Sequence, residues 1–207
     1  MELARTYRME TKRLLIRCYE PADAFRLHES ITFSLEHLRP WVPWARQEPR
    51  EQEWMESFIR MCRGQFDLGQ DAIYGIFDRT GKEFIGGTGL HNRIGKDARE
   101  IGYWIDVRHT HCGYATEAAA ALVRIGFAIE QLSRIEIRCD PNNRPSRRIP
   151  QRLGFHHEMT LKGHSTDMNG QPVDTMVWTM TKSRYAETAP DPAPLRAFDF
   201  MGRELPL

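Results

Sequence analysis

The sequence predicts a mixed α/β fold, in which helices cover both faces of one sheet. Apolar residues change period several times along the 207 residues, from strand alternation to helical spacing and back. The order of these signals, ending in a strand–helix–strand–helix–strand run, is typical of such a sheet. Apolar residues make up 41% and charged residues 28% of the chain, as in globular proteins. The length favours one domain.

Charge, hydropathy and cysteine content argue against several classes of protein. Lys plus Arg number 29 and Asp plus Glu number 28, so the charge gives no reason to expect a nucleic-acid or membrane-surface partner. No apolar run approaches the ~20 residues of a membrane span, and residues 1–13 lack the apolar stretch of a secretion signal. The four cysteines form no CxxC pair, which favours free thiols in a reducing cytoplasm and no metal site.

The first part of the chain alternates between strand and helix signals. The spacing predicts a strand over residues 13–19, a helix over 21–38 and a second helix over 51–66. Pro21 is tolerated at a helix start because the first amides of a helix have no partner. Pro40 and Pro43 prevent regular structure between the two helices.

Strand signals dominate the middle of the chain, and a strong helix signal follows them. The predicted elements are strands at 72–77, 83–90 and 100–107, a helix at 113–130, a strand at 134–139, a short helix at 143–153, and strands at 155–161 and 175–180. The tail from 187 to 207 has four prolines and no clear period, so we expect it to pack on the surface or to be loose.

The junction between the strand at 100–107 and the next helix is expected to carry the chemistry. Gly113 and Ala115 open that helix. The first amides of a helix have no partner and lie at the positive end of its dipole, so they bind anions. Small residues let a phosphate approach them, although a Gly-x-Ala turn taken alone is more often a plain tight turn than a phosphate site.

The segment Gly113-Tyr-Ala-Thr-Glu-Ala118 resembles the acyl-CoA loop of the GCN5-related N-acetyltransferase (GNAT) superfamily, specifically its RimJ/RimL-like branch of ribosomal-protein N-terminal acetyltransferases. Other segments similar to this branch, in the same order, are 11–17, the Trp-containing loop at 38–44, 100–104, and Asn143 to Ser146 followed by 153–155. The resemblance covers residues 8–183 as one acetyltransferase domain and leaves 184–207 as a C-terminal extension.

The resemblance implies a GNAT fold, with a mostly antiparallel sheet that splays apart between its fourth and fifth strands (100–107 and 134–139). Acetyl-CoA would enter this gap, and no metal is implied. The main chain at 105–107 would pair with the pantetheine and supply the oxyanion donor, and the loop at 109–116 would hold the pyrophosphate. The implied cofactor-binding residues are Ile105, Asp106, Val107, His111, Cys112, Gly113, Tyr114, Ala115, Thr116, Asn143 and Ser146.

The resemblance also suggests catalytic roles, with some departures from the family pattern. Ser146 is the expected acid that protonates the leaving thiolate. The position where many relatives carry an acidic Tyr is Pro150, and the usual Gln or Arg at the start of the loop is Thr110. A covalent route through Cys112, just before a helix N-terminus, is a minor alternative.

The general base is less well defined by the sequence. Glu100 is the first choice, because it occupies the strand position where histone-type relatives carry a catalytic Glu. A solvated charge at the start of a strand is an equally good interpretation. His91 and His164 are alternative bases, since imidazole titrates near neutrality.

The acceptor side is expected to include Trp41, Trp44 and His91, although the two tryptophans would equally well cap the core. The implied reaction is transfer of an acetyl group to a primary amine by direct attack, most closely the N-terminal α-amine of a protein or peptide. The alternatives are a small-molecule N-acetyltransferase (polyamine, aminoglycoside, amino acid or peptide antibiotic) and a non-catalytic acyl-CoA-binding protein. An acidic groove would favour a polyamine or aminoglycoside, and an open groove a peptide. We expect a cytoplasmic monomer or homodimer.

Overall fold

A ten-stranded sheet runs through the part of the chain that the computed structural model describes, residues 5–188 and 193–207. The strands are β1 (Arg8–Glu10), β2 (Leu14–Cys18), β3 (Ala72–Asp78), β4 (Phe84–His91), β5 (Ala98–Ile105), β6 (Arg134–Cys139), β7 (His156–Thr166), β8 (Pro172–Thr181), β9 (Arg196–Phe198) and β10 (Glu204–Leu205). The helices are α1 (Ala24–Leu38), α2 (Gln52–Asp67), α3 (Tyr114–Ala128), α4 (Arg144–Arg152) and α5 (Lys182–Thr188).

The strand order is β10-β9-β1-β2-β3-β4-β5-β6-β8-β7. Among the described strands, only the β5–β6 pair is parallel. The prediction of a mixed, mostly antiparallel sheet with helices on both faces is therefore confirmed. None of the described helices is both long and apolar enough to cross a bilayer.

Two apolar clusters hold the helices against the sheet. On one face, α3 buries Ala118, Leu122 and Ile125, which lie at helical spacing. On the other face, α1 and α2 pack together through residues that include Leu27 and Ile59. The sheet therefore carries a helical layer on each face, α3 on one and α1 with α2 on the other.

The family resemblance places the gap between the fourth and fifth predicted strands. These strands are β5 and β6 of the structure, because the structure has one further strand, β1, before the predicted first one. The two strands pair in parallel only from Ala98 with Arg134 to Ile101 with Ile137. Beyond that point β5 continues to Ile105 and β6 to Cys139 without pairing with each other, although each keeps its other neighbour in the sheet. The main chain from 102 to 105 is therefore left without a partner on the β6 side, and the predicted splay is confirmed.

The predicted strand at 100–107 ends earlier, at Ile105. Asp106 turns its fully buried carboxylate inwards, where it accepts hydrogen bonds from Ser30 (2.6 Å) and from Arg108 (2.7 Å). A short 3₁₀ helix over Val107–His109 follows directly. This buried ion pair fixes the turn that leads to α3.

The C-terminal tail is more regular than its composition indicates. β9 pairs with β1 in antiparallel fashion, and β10 pairs with β9. Ala197 and Phe198 are buried, and the Arg8 guanidinium lies 4.1 Å from the centre of the Phe198 ring. Residues 193–207 thus extend the sheet beyond β1.

Candidate active site

A cavity of about 750 Å³ lies where β5 and β6 separate. The N-terminal ends of α3 and α4 form one side of it, and α2 with the α1–α2 connection forms the other. The predicted site residues that line it are Trp41, Trp44, His91, Glu100, Ile105, His111, Gly113, Tyr114, Ala115, Thr116, Asn143 and Ser146. Asp106, Val107 and Cys112 do not line it.

The N-terminus of α3 has the properties of an anion site. Gly113 precedes the helix with a φ of 79°, a left-handed conformation that favours glycine, and offers no side-chain cap. Within the described residues, the amides of Tyr114, Ala115 and Thr116 donate to no protein acceptor. These free amides at the positive end of a helix fit a diphosphate.

Arg13, which the sequence analysis did not assign to the site, supports this loop from the β1–β2 turn. Its guanidinium donates to the Cys112 carbonyl (2.9 Å) and to the Glu117 carboxylate (2.6 Å), and lies 4.7 Å from the centre of the Tyr114 ring. Thr11 also donates to Glu117, at 2.6 Å. Both residues lie in the segment 11–17 that resembles the family, but only the fold shows that they meet Glu117.

Three of the predicted cofactor-binding residues do not line the cavity, and the amides of two of them already donate to other acceptors. The Asp106 amide donates to the Ile85 carbonyl (2.9 Å) and the Val107 amide to the Ser34 hydroxyl (3.0 Å). The Cys112 side chain is exposed. Because the amides of Asp106 and Val107 are already paired, the geometry favours the main chain from 102 to 105, which has no partner on the β6 side, as the donor for a developing oxyanion.

Two hydroxyl groups meet beside the gap. The Tyr103 hydroxyl donates to the Ser146 carbonyl and lies 3.2 Å from the Ser146 Oγ. Asn143 caps α4 by accepting from the Ser146 amide (3.1 Å), which fixes the serine. Burial raises the pKa of Tyr103 well above its ordinary value, so the phenol keeps its proton. Tyr103 is a second candidate proton donor that the sequence analysis missed.

Cys139 lies at the end of β6 and lines the same cavity. Burial raises the pKa of its thiol to about 11. The thiol is therefore protonated at neutral pH and is not a nucleophile there.

Glu100 lies on the opposite face of β5 from Tyr103, between two guanidinium groups. Its carboxylate oxygens lie 3.6 Å from Arg93 and 3.7 Å from Arg138. Arg138 is itself held by Glu136, to which it donates at 2.9 and 3.0 Å. Glu100 is thus part of an ion-pair network that lines the acceptor side of the cavity.

His91, the β4 residue opposite Glu100 in the sheet, also lines the cavity. Its Nδ1 lies 2.9 Å from the Asp71 Oδ2. By contrast, His164 lies exposed on β7 and does not line the cavity. The structure therefore brings only one of the two alternative histidines to the site.

Aromatic rings form the wall of the acceptor side. Trp44 contacts Trp104 edge to face, with ring centres 5.8 Å apart, and Trp41 stands beside them in the α1–α2 connection. Both Trp41 and Trp44 keep more than a third of their surface exposed, at 38% and 37%. They are therefore available to a substrate, and they do not simply cap the core.

Comparison with known proteins agrees with this geometry. Residues 13–156 match the family described as "Acetyltransferase (GNAT) domain". The chain belongs to the GNAT acetyltransferase family.

The N-acetyltransferase YoaA of Bacillus subtilis (strain 168) is 32% identical over 177 residues, covering 85% of this chain and 97% of YoaA. The [Ribosomal protein uS5]-alanine N-acetyltransferase of Escherichia coli (strain K12) is 27% identical, covering 84% and 90%. Among solved structures, RimL, the ribosomal L7/L12 alpha-N-protein acetyltransferase in complex with coenzyme A, superposes with a TM-score of 0.76 at 21% identity, covering 87% of this chain and 98% of RimL.

Membership in the GNAT family identifies the chain as an acetyltransferase with acetyl-CoA as the donor, and the cavity is the candidate site for that transfer. The free amides of α3 and the unpaired edge of β5 suit its diphosphate and its extended pantetheine arm. Of the four arginines on α4, Arg148 and Arg152 line the cavity and Arg144 and Arg147 do not. Within residues 5–188 and 193–207, no three or more His, Cys, Asp or Glu side chains are grouped so as to hold a metal ion.

Proposed function

We propose that this GNAT domain acetylates the N-terminal α-amine of a protein or peptide. The observation that carries the proposal is one continuous cavity. It leads from the free amides of α3, past the unpaired edge of β5, to an open aromatic wall. The ribosomal-protein acetyltransferase among the relatives supports the same acceptor class.

The chemistry needs three groups, and the cavity offers a candidate for each. The amine nitrogen bonds to the thioester carbonyl carbon and the carbon–sulfur bond breaks. An amide of the β5 edge donates to the carbonyl oxygen as charge develops. The Tyr103–Ser146 hydroxyl pair donates a proton to the leaving thiolate. A base on the acceptor side, for which Glu100 and His91 are the candidates, removes the proton from the amine.

The charges around the acceptor side favour a peptide over a polycation. The carboxylates that line the cavity belong to Glu48, Glu100 and Asp140, and the guanidinium groups to Arg93, Arg138, Arg148 and Arg152. This lining is not acidic, so it gives no special attraction for a polyamine or an aminoglycoside. An α-amine with a pKa of about 7.7–8.0 also needs a weaker base than a lysine amine at about 10.4.

The test is thiol release from acetyl-CoA with matched acceptors. The panel contains a peptide with a free N-terminus, the same peptide with a blocked N-terminus and an internal lysine, spermidine, kanamycin and free alanine. We expect turnover with the free N-terminus and none with the blocked peptide, and mass spectrometry places the acetyl group. Turnover of only the small amines would refute the proposed acceptor, and coenzyme A binding without any thiol release would indicate a non-catalytic protein.

A further inference from the structure

The imidazole of His91 lies flat over two glycines that face each other in the sheet. Gly89 of β4 and Gly102 of β5 are direct cross-strand partners. A Cβ at position 89 would lie 2.7 Å from the His91 Cε1, and a Cβ at position 102 would lie 3.0 Å from its Nε2. Since any other pair of residues would displace the ring, the two glycines create the space that this histidine occupies.

Asp71 determines how the ring is oriented. Its Oδ2 lies 2.9 Å from the His91 Nδ1, and its Oδ1 accepts from the Asn92 amide at 3.3 Å. Burial acts to raise the pKa of Asp71, but the hydrogen bond from His91 and those from the main-chain amides of Ala72 and Asn92 outweigh it and hold the pKa below its ordinary value. An ionised Asp71 makes Nδ1 the donor and leaves the lone pair on Nε2.

The Nε2 atom has no hydrogen-bond partner among the described residues, although its ring lines the cavity. Its cross-strand neighbour Glu100 is placed differently, because Arg93 and Arg138 both contact its carboxylate. On this side of the cavity, His91 therefore offers an oriented and unpaired proton acceptor, whereas Glu100 lies in longer ion pairs with two guanidinium groups.

We infer that His91 is the general base of the proposed acetyl transfer and that Asp71 is its positioning residue. This inference rests on the proposed function. As the amine nitrogen bonds to the acetyl carbon and the carbon–sulfur bond breaks, the proton on nitrogen moves to the His91 Nε2. The thiolate receives a proton from the Tyr103–Ser146 pair, which regains one from solvent, and His91 releases the amine proton to solvent, so that the enzyme returns to its starting state.

Titratable and charged groups on several neighbouring elements surround the His91 imidazole. Cys62 of α2 faces Asp71, and burial raises the pKa of this thiol to about 12, so it stays neutral. The charged groups in contact with His91 or with its cross-strand partner Glu100 are Asp71, Arg93 and Arg138. The Asp71 carboxylate, in direct contact with the ring, is the charge expected to act on it most strongly.

The first experiment replaces the base and supplies it from solution. We expect His91→Ala to lower kcat by about 10²–10⁴ with unchanged KM for acetyl-CoA, as for loss of a general base. Added imidazole should restore part of the rate. The matched control is His156→Ala, an exposed histidine on β7 outside the cavity, which should keep its activity and show no response to imidazole.

The second experiment tests the positioning role. Asp71→Asn removes the carboxylate that makes Nδ1 the donor and so fixes the ring, and kcat should therefore fall while the KM for acetyl-CoA stays unchanged. Gly102→Ala should lower kcat with His91 still present, because the added Cβ would lie 3.0 Å from Nε2. Retained coenzyme A affinity, measured by calorimetry, shows that each variant is folded.

The outcomes separate this inference from the proposed function. If the unmodified protein acetylates no amine, the proposed function fails. If it acetylates peptides and His91→Ala keeps both the rate and the pH profile, the function stands and the inference about His91 is overturned. A loss in Glu100→Gln alone, with a shifted pH profile, would then identify Glu100 as the base.

Discussion

Substitution of Gly113 tests the anion site at the start of α3. At a φ of 79°, an alanine pays the cost of a left-handed conformation, roughly 1–2 kcal/mol. Its Cβ would meet only the Arg13 Nη2, at an ordinary 3.6 Å, so no clash adds to this cost. For a domain of this size, each kcal/mol shifts Tm by roughly 2–4 °C. We therefore expect Gly113→Ala to lower Tm by roughly 2–8 °C.

Gly170→Ala is the matched control for backbone strain. Gly170 has a φ of 75° in the β7–β8 turn, with nothing within 4 Å of an added Cβ, and it lies outside the cavity. Its Tm should fall by a similar amount without any effect on ligand binding. In Gly113→Ala the methyl group stands beside the free amides, and loss of one charge-assisted hydrogen bond is worth about 1.5–3 kcal/mol. That corresponds to a rise in the Kd for coenzyme A of about 10- to 150-fold.

Calorimetric titration of coenzyme A into both variants gives the Kd, and thermal denaturation gives the Tm, so the effects on binding and on stability are measured separately. Equal losses of Tm with coenzyme A affinities that both match the unmodified protein would refute the assignment of the diphosphate to this loop.

Three further predictions concern residues around the gap. Ser146→Ala and Tyr103→Phe should each lower kcat more than they weaken coenzyme A binding, and steady-state kinetics with an unchanged kcat would remove that hydroxyl as the acid. Arg13→Gln should weaken coenzyme A binding through loss of the support for the α3 loop; unaltered calorimetry would make its role purely structural. Burial acts to raise the pKa of Asp106, but hydrogen bonds from Arg108 and Ser30 outweigh it and lower the pKa. The ionised carboxylate therefore stabilises the folded protein above the unfolded-state pKa of about 3.9, and this stabilisation is lost as pH falls further. Asp106→Asn should therefore reduce Tm at pH 7 much more than at pH 3, and an equal loss at both pH values would contradict this reasoning.

The sheet and its covering helices follow from periodicity, because each long element buries one face. The segment from Tyr114 to Ala128 shows this most clearly, since its apolar stripe and the glycine before it define both its inner face and its start. The strands β1, β9 and β10 have only two or three residues each, too few to show a period. Their pairing depends on Phe198 and its neighbours meeting β1 from the far end of the chain.

The cofactor side of the site could be predicted because its residues are close in sequence. Gly113, Ala115 and Thr116 form a local motif, and free amides need no distant partner. The proton-transfer groups differ in this respect. Tyr103 meets Ser146 from 43 positions away, and Asp71 meets His91 from 20 positions away. No local pattern records such pairs, because one depends on how α4 packs beside β5 and the other on a loop residue meeting β4.

The position of β9 and β10 at the edge of the sheet has a consequence for shortened forms of the chain. Tyr7 donates its amide to the Phe198 carbonyl (2.8 Å), and Arg8 to Glu10 pair with the strand that Phe198 ends. Deleting residues 193–207 would expose a row of unsatisfied main-chain groups on β1 and uncover the apolar surface beneath Ala197. Bare edges of this kind recruit strands from other molecules. A truncated protein is therefore expected to self-associate, visible as added mass in light scattering, even though its catalytic gap is untouched.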